Sequence, residues 1–130
     1  SIGKNAFTRC TSLKQIEIPS SITSINDFVF DGCSSLTNVL IPPSVTSIGE
    51  FAFYGCLSLE QITIPSSVIS IGESAFSKCL ALKQMSIPSS VKSIGKNAFD
   101  GCSSLTKIST PFVSNLNELG IPTNITISLI

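Results

Sequence analysis

The sequence has no histidine or tryptophan and is poor in charged residues. Only 12% of its 130 residues are charged, and eight basic and eight acidic side chains give a formal net charge of zero. The lack of histidine removes the commonest general base and the usual activator of a nucleophile. A neutral chain without a basic cluster also lacks the electrostatic footprint of a protein that binds nucleic acid or an anionic membrane. We therefore predict neither catalysis nor a nucleic-acid partner.

Long apolar runs are missing too, although 42% of the residues are hydrophobic. No run approaches the ~18 residues that a membrane-spanning helix needs, so no membrane span is predicted. The opening stretch "SIGKNAF" is neither an initiator methionine nor a signal peptide. It matches the end of a repeat, and we expect the chain to be part of a longer protein.

What the sequence has in abundance is repetition with a period of 23 residues. Cysteine marks this period at positions 10, 33, 56, 79 and 102. A leucine follows each cysteine by three residues, and columns of isoleucine or valine, proline and phenylalanine keep the same step without insertions. A fixed period of this length is typical of a solenoid, in which each repeat forms one coil and stacked coils share one core.

Each repeat predicts one short strand followed by turns. Apolar and polar residues alternate over 16–18, which indicates a strand with one buried face. Because proline cannot donate to a ladder, the proline in each copy is expected to end the strand. The Ala-Phe pair is expected to point inward on a single helical or 3₁₀ turn. Gly49 and Asn26 share a column in which we expect a left-handed backbone.

The pattern L-x-x-I-x-I-P followed by V-x-x-I-G-x-x-A-F-x-x-C resembles the BspA-type leucine-rich repeat. The residues of one copy that fill every position of this pattern are Leu59, Ile62, Ile64, Pro65, Val68, Ile71, Gly72, Ala75, Phe76 and Cys79. The resemblance covers residues 1–112: a partial first repeat, four full repeats and the start of another. It implies a right-handed, mainly β solenoid with a parallel sheet on the concave face, and turns or short 3₁₀ and helical segments elsewhere. It implies no catalytic residue and no cofactor.

Residues 113–130 depart from the pattern. Thr110 already replaces the expected isoleucine, and later Ile125, Ile127 and Leu129 alternate like one more strand. Terminal coils of solenoids are atypical because they shield the last layer of the core. We therefore predict a C-terminal cap over 113–130, with an ordered linker as the alternative.

The cysteines predict buried free thiols that act as small apolar residues. Zinc sites use close pairs such as C-x-x-C, whereas these cysteines lie 23 residues apart. Parallel side chains in a ladder are also poorly aimed for a disulfide torsion. Neither a metal site nor a disulfide is predicted. Asn124 begins a glycosylation sequon, which we attribute to chance.

The outward positions of the predicted strands are the candidate binding surface. The predicted partner-binding residues are Lys14, Gln15, Glu17, Asn38, Leu40, Gln61, Thr63, Gln84, Ser86 and Lys107. The amides in the column that contains Gln61 offer donors and acceptors to a partner, or alternatively bond to one another along the ladder. Leu40 is a hot-spot candidate, although a single exposed leucine is normal on a protein surface.

A second candidate patch combines three aromatic side chains. Phe28 and Phe51 share an outward column in neighbouring repeats, and Tyr54 lies close in sequence. Stacked aromatic rings with polar neighbours are typical of a contact patch. The alternative is that these rings fold back against the convex turns.

These observations predict a non-enzymatic module that binds a protein ligand through its concave face. The resemblance implies adhesion or host and cell interaction, with the protein at the cell surface or secreted. The alternative is an intracellular scaffold or regulatory repeat protein, which free thiols favour. A third hypothesis is self-association through the open ends of the solenoid.

Overall fold

A computed structural model describes residues 1–110, 118, 120–121 and 125–129 of the chain. It is built from short parallel strands joined by turns. We number the coils from each cysteine, so that coils 1 to 4 comprise residues 10–32, 33–55, 56–78 and 79–101, and coil 5 begins at residue 102. The nine strands are β1 (Gln15–Glu17), β2 (Ser24–Ile25), β3 (Asn38–Leu40), β4 (Ser47–Ile48), β5 (Ser70–Ile71), β6 (Gln84–Ser86), β7 (Ser93–Ile94), β8 (Lys107–Thr110) and β9 (Thr126–Leu129).

The predicted concave sheet is present, and it is divided into two parts. Strand β1 pairs in parallel with β3, and β6 pairs in parallel with β8, which pairs with β9. In the pairs formed by repeats the register step is 23 residues, as in Gln15↔Asn38. Residues 61–63 of coil 3 lie between the two parts and form no strand. The repeat therefore fixes the stacking, but the concave hydrogen-bond ladder is not continuous.

A second parallel ladder, which the sequence analysis missed, consists of the Ser-Ile dipeptide of each coil. Strands β2, β4, β5 and β7 form a four-stranded sheet, with the partners Ser24↔Ser47↔Ser70↔Ser93. The expectation of one sheet was wrong because a two-residue strand is too short to show alternation. The isoleucine of each pair packs into the core, and the serine faces outward.

The Ala-Phe segment forms successive turns rather than a regular helix in coils 1 to 4. Phe53 N–H, for example, donates to Ala75 of the next coil, while Tyr54 N–H donates three residues back to Phe51. Bonds to the next coil therefore alternate with the bonds of a 3₁₀ turn. Ala52 and Phe53 are fully buried, which confirms that both residues of the pair point inward.

The predicted left-handed backbone in the column of Gly49 is wrong. Positive φ occurs instead two residues later, at Asn5, Phe28, Phe51, Ser74 and Asn97. Gly49 is required for space, because a Cβ there would lie 2.7 Å from the backbone nitrogen of Asp27 in the previous coil. Asn26 occupies this column in coil 1, where its side-chain Nδ2 donates to the Ile2 carbonyl at 2.7 Å.

The core is one continuous cluster of stacked columns. The phenylalanine column forms parallel stacks, with ring centroids 5.2 Å apart for Phe30–Phe53 and 5.3 Å for Phe53–Phe76. These separations match the spacing of strands in a ladder, about 4.8 Å, so each ring lies on its equivalent in the next coil.

At the C-terminal end, β9 adds a parallel strand to β8, with Ile127 opposite Ile108. This confirms the strand expected from the alternation of residues 125–129. Most of 113–130, including Asn124, lies outside the described residues, and the cap there stays a prediction.

Candidate functional site

The ten predicted concave residues all have exposed side chains on one face. Apart from Lys14, which directly precedes β1, they are supplied by β1, β3, residues 61–63, β6 and β8, whose middle residues point into the core. Because successive side chains of a strand point to opposite faces, burying Val39 exposes Asn38 and Leu40 on either side of it. The placement of these residues on the concave surface is as expected, and their role in binding stays a prediction.

The column that contains Gln61 is free of internal side-chain hydrogen bonds. Within residues 1–110 no side-chain hydrogen bond joins two members of this column, which are Gln15, Asn38, Gln61, Gln84 and Lys107. The alternative of an amide ladder is therefore not observed. The amide groups are available to a partner, and each offers donors and an acceptor.

The backbone ladder on this face is interrupted on both sides of coil 3. Ile18 N–H donates to Leu40 across the first seam, and Ile87 N–H donates to Ser109 across the fourth. In the described part of the chain, the equivalent bond from Ile41 to Thr63 is absent. We call this region, in which residues 60–64 face 37–41 on one side and 83–87 on the other, the open seam.

The missing bonds are confined to the concave face. The N–H groups of Glu60 and Ile64, which would donate to Thr37 and Ser86, also have no hydrogen-bond partner among the described residues. On the opposite side of the same two coils, Phe53 N–H still donates to Ala75 at 2.8 Å. Coils 2 and 3 are thus held together by their turns and by the Ser-Ile ladder.

A groove lies beside the open seam. Its volume is about 320 Å³, and we call it the central groove. Its apolar lining includes Ile62, Ile64 and Met85, and its polar lining includes Gln61, Gln84 and Lys107. Groove volumes that suit small ligands begin at about 300 Å³, so a single side chain fits easily. The core residues in this groove were missed by the sequence analysis, because they occupy the same periodic columns as every other core residue.

The charges around the central groove are mostly neutralised. Lys83 Nζ lies 3.1 Å from Glu60 Oε2, so these two exposed side chains form an ion pair between coils 3 and 4. Lys107 is the charged residue of the groove lining, and it has no ion-pair partner within the described residues. It leaves a positive charge at the coil-5 end of the groove.

Leu40 is the most exposed large apolar side chain in the described residues, at 59% relative accessibility. It belongs to the open seam and shares a column with Thr63. Burying a leucine in an interface is worth up to about 1.5–3 kcal/mol. The geometry therefore keeps Leu40 as a hot-spot candidate.

The aromatic patch has a defined geometry away from the concave sheet. The Phe28 and Phe51 rings are stacked 5.0 Å apart with an interplanar angle of 3°, and Tyr54 is tilted by 50° against Phe51. All three are half-buried. The backbone φ is +60° at Phe28 and +54° at Phe51, which is unusual for bulky side chains. The rings thus pack mainly on one another, and a contact role for them stays a prediction.

The cysteines are free thiols, as predicted, and four of the five are fully buried. Each buried Sγ donates to a phenylalanine carbonyl of an earlier coil, as Cys56 does to Phe30 at 3.3 Å. Burial raises the pKa of Cys33 to about 11 and that of Cys102 to about 12, and it raises those of Cys56 and Cys79 as well. A protonated thiol is a poor nucleophile, so these cysteines pack and are unreactive.

No metal-binding arrangement occurs among the described residues, which contain no cluster of three or more potential ligands. In the same part of the chain, no helix has the length and apolar character to cross a bilayer. Solenoids of this kind are typically non-enzymatic, and among the described residues no hydroxyl side chain that lines the concave grooves is hydrogen-bonded to a lysine ammonium group or a carboxylate.

Comparison with known proteins supports the repeat assignment. A model of the BspA-type leucine-rich repeat region matches residues 1–121 in six copies. A search of curated proteins found no significant match. Among solved structures, a leucine-rich repeat protein from Bacteroides ovatus is 34% identical, with a TM-score of 0.87 over 95% of this chain and 32% of its own.

Two further solved structures support the same repeat assignment. A leucine-rich repeat protein from T. pallidum is 30% identical, with a TM-score of 0.80 over 96% of this chain and 64% of its own. A leucine-rich cell surface protein from Faecalibacterium prausnitzii is 33% identical, with a TM-score of 0.76 over 88% of this chain and 32% of its own. The chain thus spans about a third to two thirds of these proteins. By the repeat, the fold and the family model, the chain belongs to the BspA-type leucine-rich repeat family.

Proposed function

We propose that this chain is a protein-binding module that attaches a cell-surface or secreted protein to another protein through the concave face. The observation that carries the proposal is the exposed column of amides, free of internal side-chain hydrogen bonds, beside Leu40 and the open seam. The family supports a module for protein interaction. The F. prausnitzii neighbour, described as a cell surface protein, supports the surface location.

The mechanism of binding is contact with a preformed surface. Stacked coils hold the outward side chains in columns about 4.8 Å apart before a partner arrives. A rigid surface loses little conformational freedom on association, so modest polar contacts yield a larger share of net affinity. The low charge of the chain implies little electrostatic steering and a weak dependence of binding on salt.

The test uses the immobilised chain to capture proteins from surface fractions of candidate partner cells. The variant Leu40→Lys/Gln61→Lys places two ammonium groups on the concave face. Ser66→Lys/Ser89→Lys is the matched control, because these serines are exposed on the turns that follow the strands. We expect proteins quantified by mass spectrometry to bind the wild type and the control but not the concave variant. Equal capture by all three chains would remove the concave face as the site.

The alternative of an intracellular scaffold is favoured by the five free thiols, which need no oxidising compartment. Antibody labelling of intact and permeabilised source cells separates the two locations. Signal on intact cells supports the surface role. Signal that appears only after permeabilisation would exclude adhesion and leave an intracellular partner.

A further inference from the structure

The central groove combines unpaired main-chain groups with accessible core residues. It lies beside the open seam, where the Ile64 N–H and the carbonyls of Thr63 and Ser86 lack a hydrogen-bond partner. It reaches the core residues Ile62 and Met85. These groups offer main-chain hydrogen bonds and an apolar floor to a ligand.

The apolar floor is more open at coil 3 than at coils 4 and 5. Ile62 is 8% exposed, whereas Ile108, two coils further on in the same column, is fully buried. Ile64 is likewise less buried than Ile87, its equivalent in coil 4. The interrupted ladder therefore coincides with apolar surface that a partner side chain can cover.

The charge of the groove selects among partners. Lys83 is neutralised by Glu60, so Lys107 supplies the one unpaired charge in the groove lining. An ammonium group at the end of a largely apolar and amide-lined groove attracts a carboxylate. A segment with an acidic group beyond an apolar residue is therefore complementary to this groove.

We propose that the central groove binds an extended peptide segment of the partner, with an aliphatic side chain on Ile62 and Met85 and a carboxylate on Lys107. This proposal rests on the proposed function and specifies the chemistry of its ligand. The partner segment is recognised as an aliphatic residue and an aspartate or glutamate separated by one residue.

The spacing follows from the geometry of the coils. The floor lies between coils 3 and 4, and Lys107 lies on coil 5. The distance from the floor to Lys107 is therefore about one and a half coil steps, or about 7 Å. In an extended chain, residues i and i+2 point to the same side and lie about 6.7 Å apart. A peptide that runs along the solenoid axis therefore places both side chains in contact at once.

A peptide fits this groove better than a glycan does. Its lining contains no aromatic ring on which a sugar could stack, whereas the side-chain amides of Gln61 and Gln84 match the donors and acceptors of a peptide backbone. The unpaired backbone groups of the open seam add the same type of donor and acceptor.

The test is titration of the ¹⁵N-labelled chain with short blocked peptides, followed by NMR. The probes are acetyl-Gly-Leu-Ser-Asp-Gly-amide and a peptide with the same residues in reverse order. Two control peptides carry Asn in place of Asp or Ser in place of Leu. We expect saturable shifts at residues 61–64, 84–86 and 107, with Asn for Asp weakening binding about threefold to fivefold, as for an exposed ion pair. Shifts elsewhere, no shifts, or equal binding of all peptides would overturn the proposal.

A charge reversal sharpens the test without a risk to folding, because Lys107 is exposed. Lys107→Glu is expected to weaken the binding of the aspartate peptide. The same change is expected to strengthen the binding of the peptide that has lysine in place of aspartate. Lys92→Glu, at an exposed lysine outside the ten concave residues and outside the groove lining, is the matched control and should leave both affinities unchanged. If Lys107→Glu behaves like Lys92→Glu, the carboxylate contact is wrong.

The failure of this proposal is distinguishable from the failure of the proposed function. If the peptides do not bind while Leu40→Lys/Gln61→Lys still abolishes protein capture, the concave face binds a protein by another chemistry. If an acidic oligosaccharide shifts the groove residues and the peptides do not, the ligand class assigned here is wrong.

Discussion

The two ladders of the solenoid differ at coil 3. The Ser-Ile ladder runs unbroken from β2 to β7, and its two residues are identical in all four coils. The concave ladder is interrupted between β3 and β6, and its buried middle residue varies among isoleucine, valine and methionine. Identical side chains in register give every coil the same spacing, whereas a ladder of varied residues lacks that constraint. One ladder thus maintains the stacking, and the other is free to differ from coil to coil.

The largest effect is expected from Phe53→Ala, which removes a buried ring from the core that both ladders share. Phe53 is fully buried between Phe30 and Phe76. We expect the free energy of unfolding to fall by about 3–5 kcal/mol in urea titrations. Phe7→Ala, at a half-buried end of the same column, is the control and should cost less. Equal losses would mean that the column is not a cooperative stack.

A smaller but specific effect on the Ser-Ile ladder is expected from Gly72→Ala. The added Cβ would lie 2.6 Å from the Glu50 backbone nitrogen, so coils 2 and 3 must move apart. We expect a loss of about 1–3 kcal/mol in unfolding free energy, as for overpacking. Gly3→Ala in the same column meets no atom within 4 Å and should be nearly neutral. A neutral Gly72→Ala would contradict the close approach of the coils.

Gly55→Ala separates strain in the backbone from lack of space. Its φ is +69°, and the nearest atom to an added Cβ is 3.8 Å away, so only the left-handed conformation opposes the change. A cost of about 1–2 kcal/mol is expected in thermal or urea unfolding. Gly55→Val should cost more than Gly55→Ala, because valine is β-branched. If both substitutions are tolerated without loss, the turn does not require the left-handed backbone.

Alkaline pH is expected to weaken the core gradually. Desolvation raises the pKa of Cys33 from the ordinary 9.0 to about 11, so the unfolded chain loses its thiol proton at a lower pH than the folded chain. The contribution of this thiol is fully present below pH 9 and is lost as the pH rises through about 11. The urea concentration at the midpoint of unfolding should fall as the pH is raised from 8 to 10 and 11. The fall should be smaller in Cys33→Ala than in the wild type. Identical slopes for the two chains would exclude this thiol as the cause.

The smallest effect on stability is expected on the concave face. Leu40→Lys and Gln61→Lys replace exposed side chains without side-chain hydrogen bonds and should change the free energy of unfolding by less than about 0.5 kcal/mol. The same changes are expected to abolish capture of the partner. A loss of stability comparable to that of Gly72→Ala would show that this face maintains the fold after all.

The sequence predicted the core because its columns repeat with one step. Phe53, Leu59 and Val68 are buried as their spacing requires, and Leu40 is exposed as its position between buried residues requires. The role of Gly49 was not predictable, since lack of space and positive φ both select glycine. The open seam depends on small differences in distance between coils, and no residue type marks it in the sequence.

The positive φ at Phe51 was also not predicted from the sequence, although its column contains one indication of it. Asn5 and Asn97 occupy the same column, and asparagine tolerates the left-handed conformation well. Two phenylalanines in that column hide the preference, because bulky residues rarely adopt it. The two rings stack at 5.0 Å, and such a contact offsets part of the cost of this conformation.

The most direct test of the difference between the two ladders is amide hydrogen exchange of the free chain, measured by NMR. Ile41 and Ile64 N–H groups are unpaired at the open seam, whereas Ile18 and Ile87 N–H groups are bonded in the same column. The account predicts rapid exchange at Ile41 and Ile64 and strong protection at Ile18, at Ile87 and at Gly72 of the Ser-Ile ladder. Equal protection at Ile64 and Ile87 would contradict it, because the concave ladder would then be continuous through coil 3.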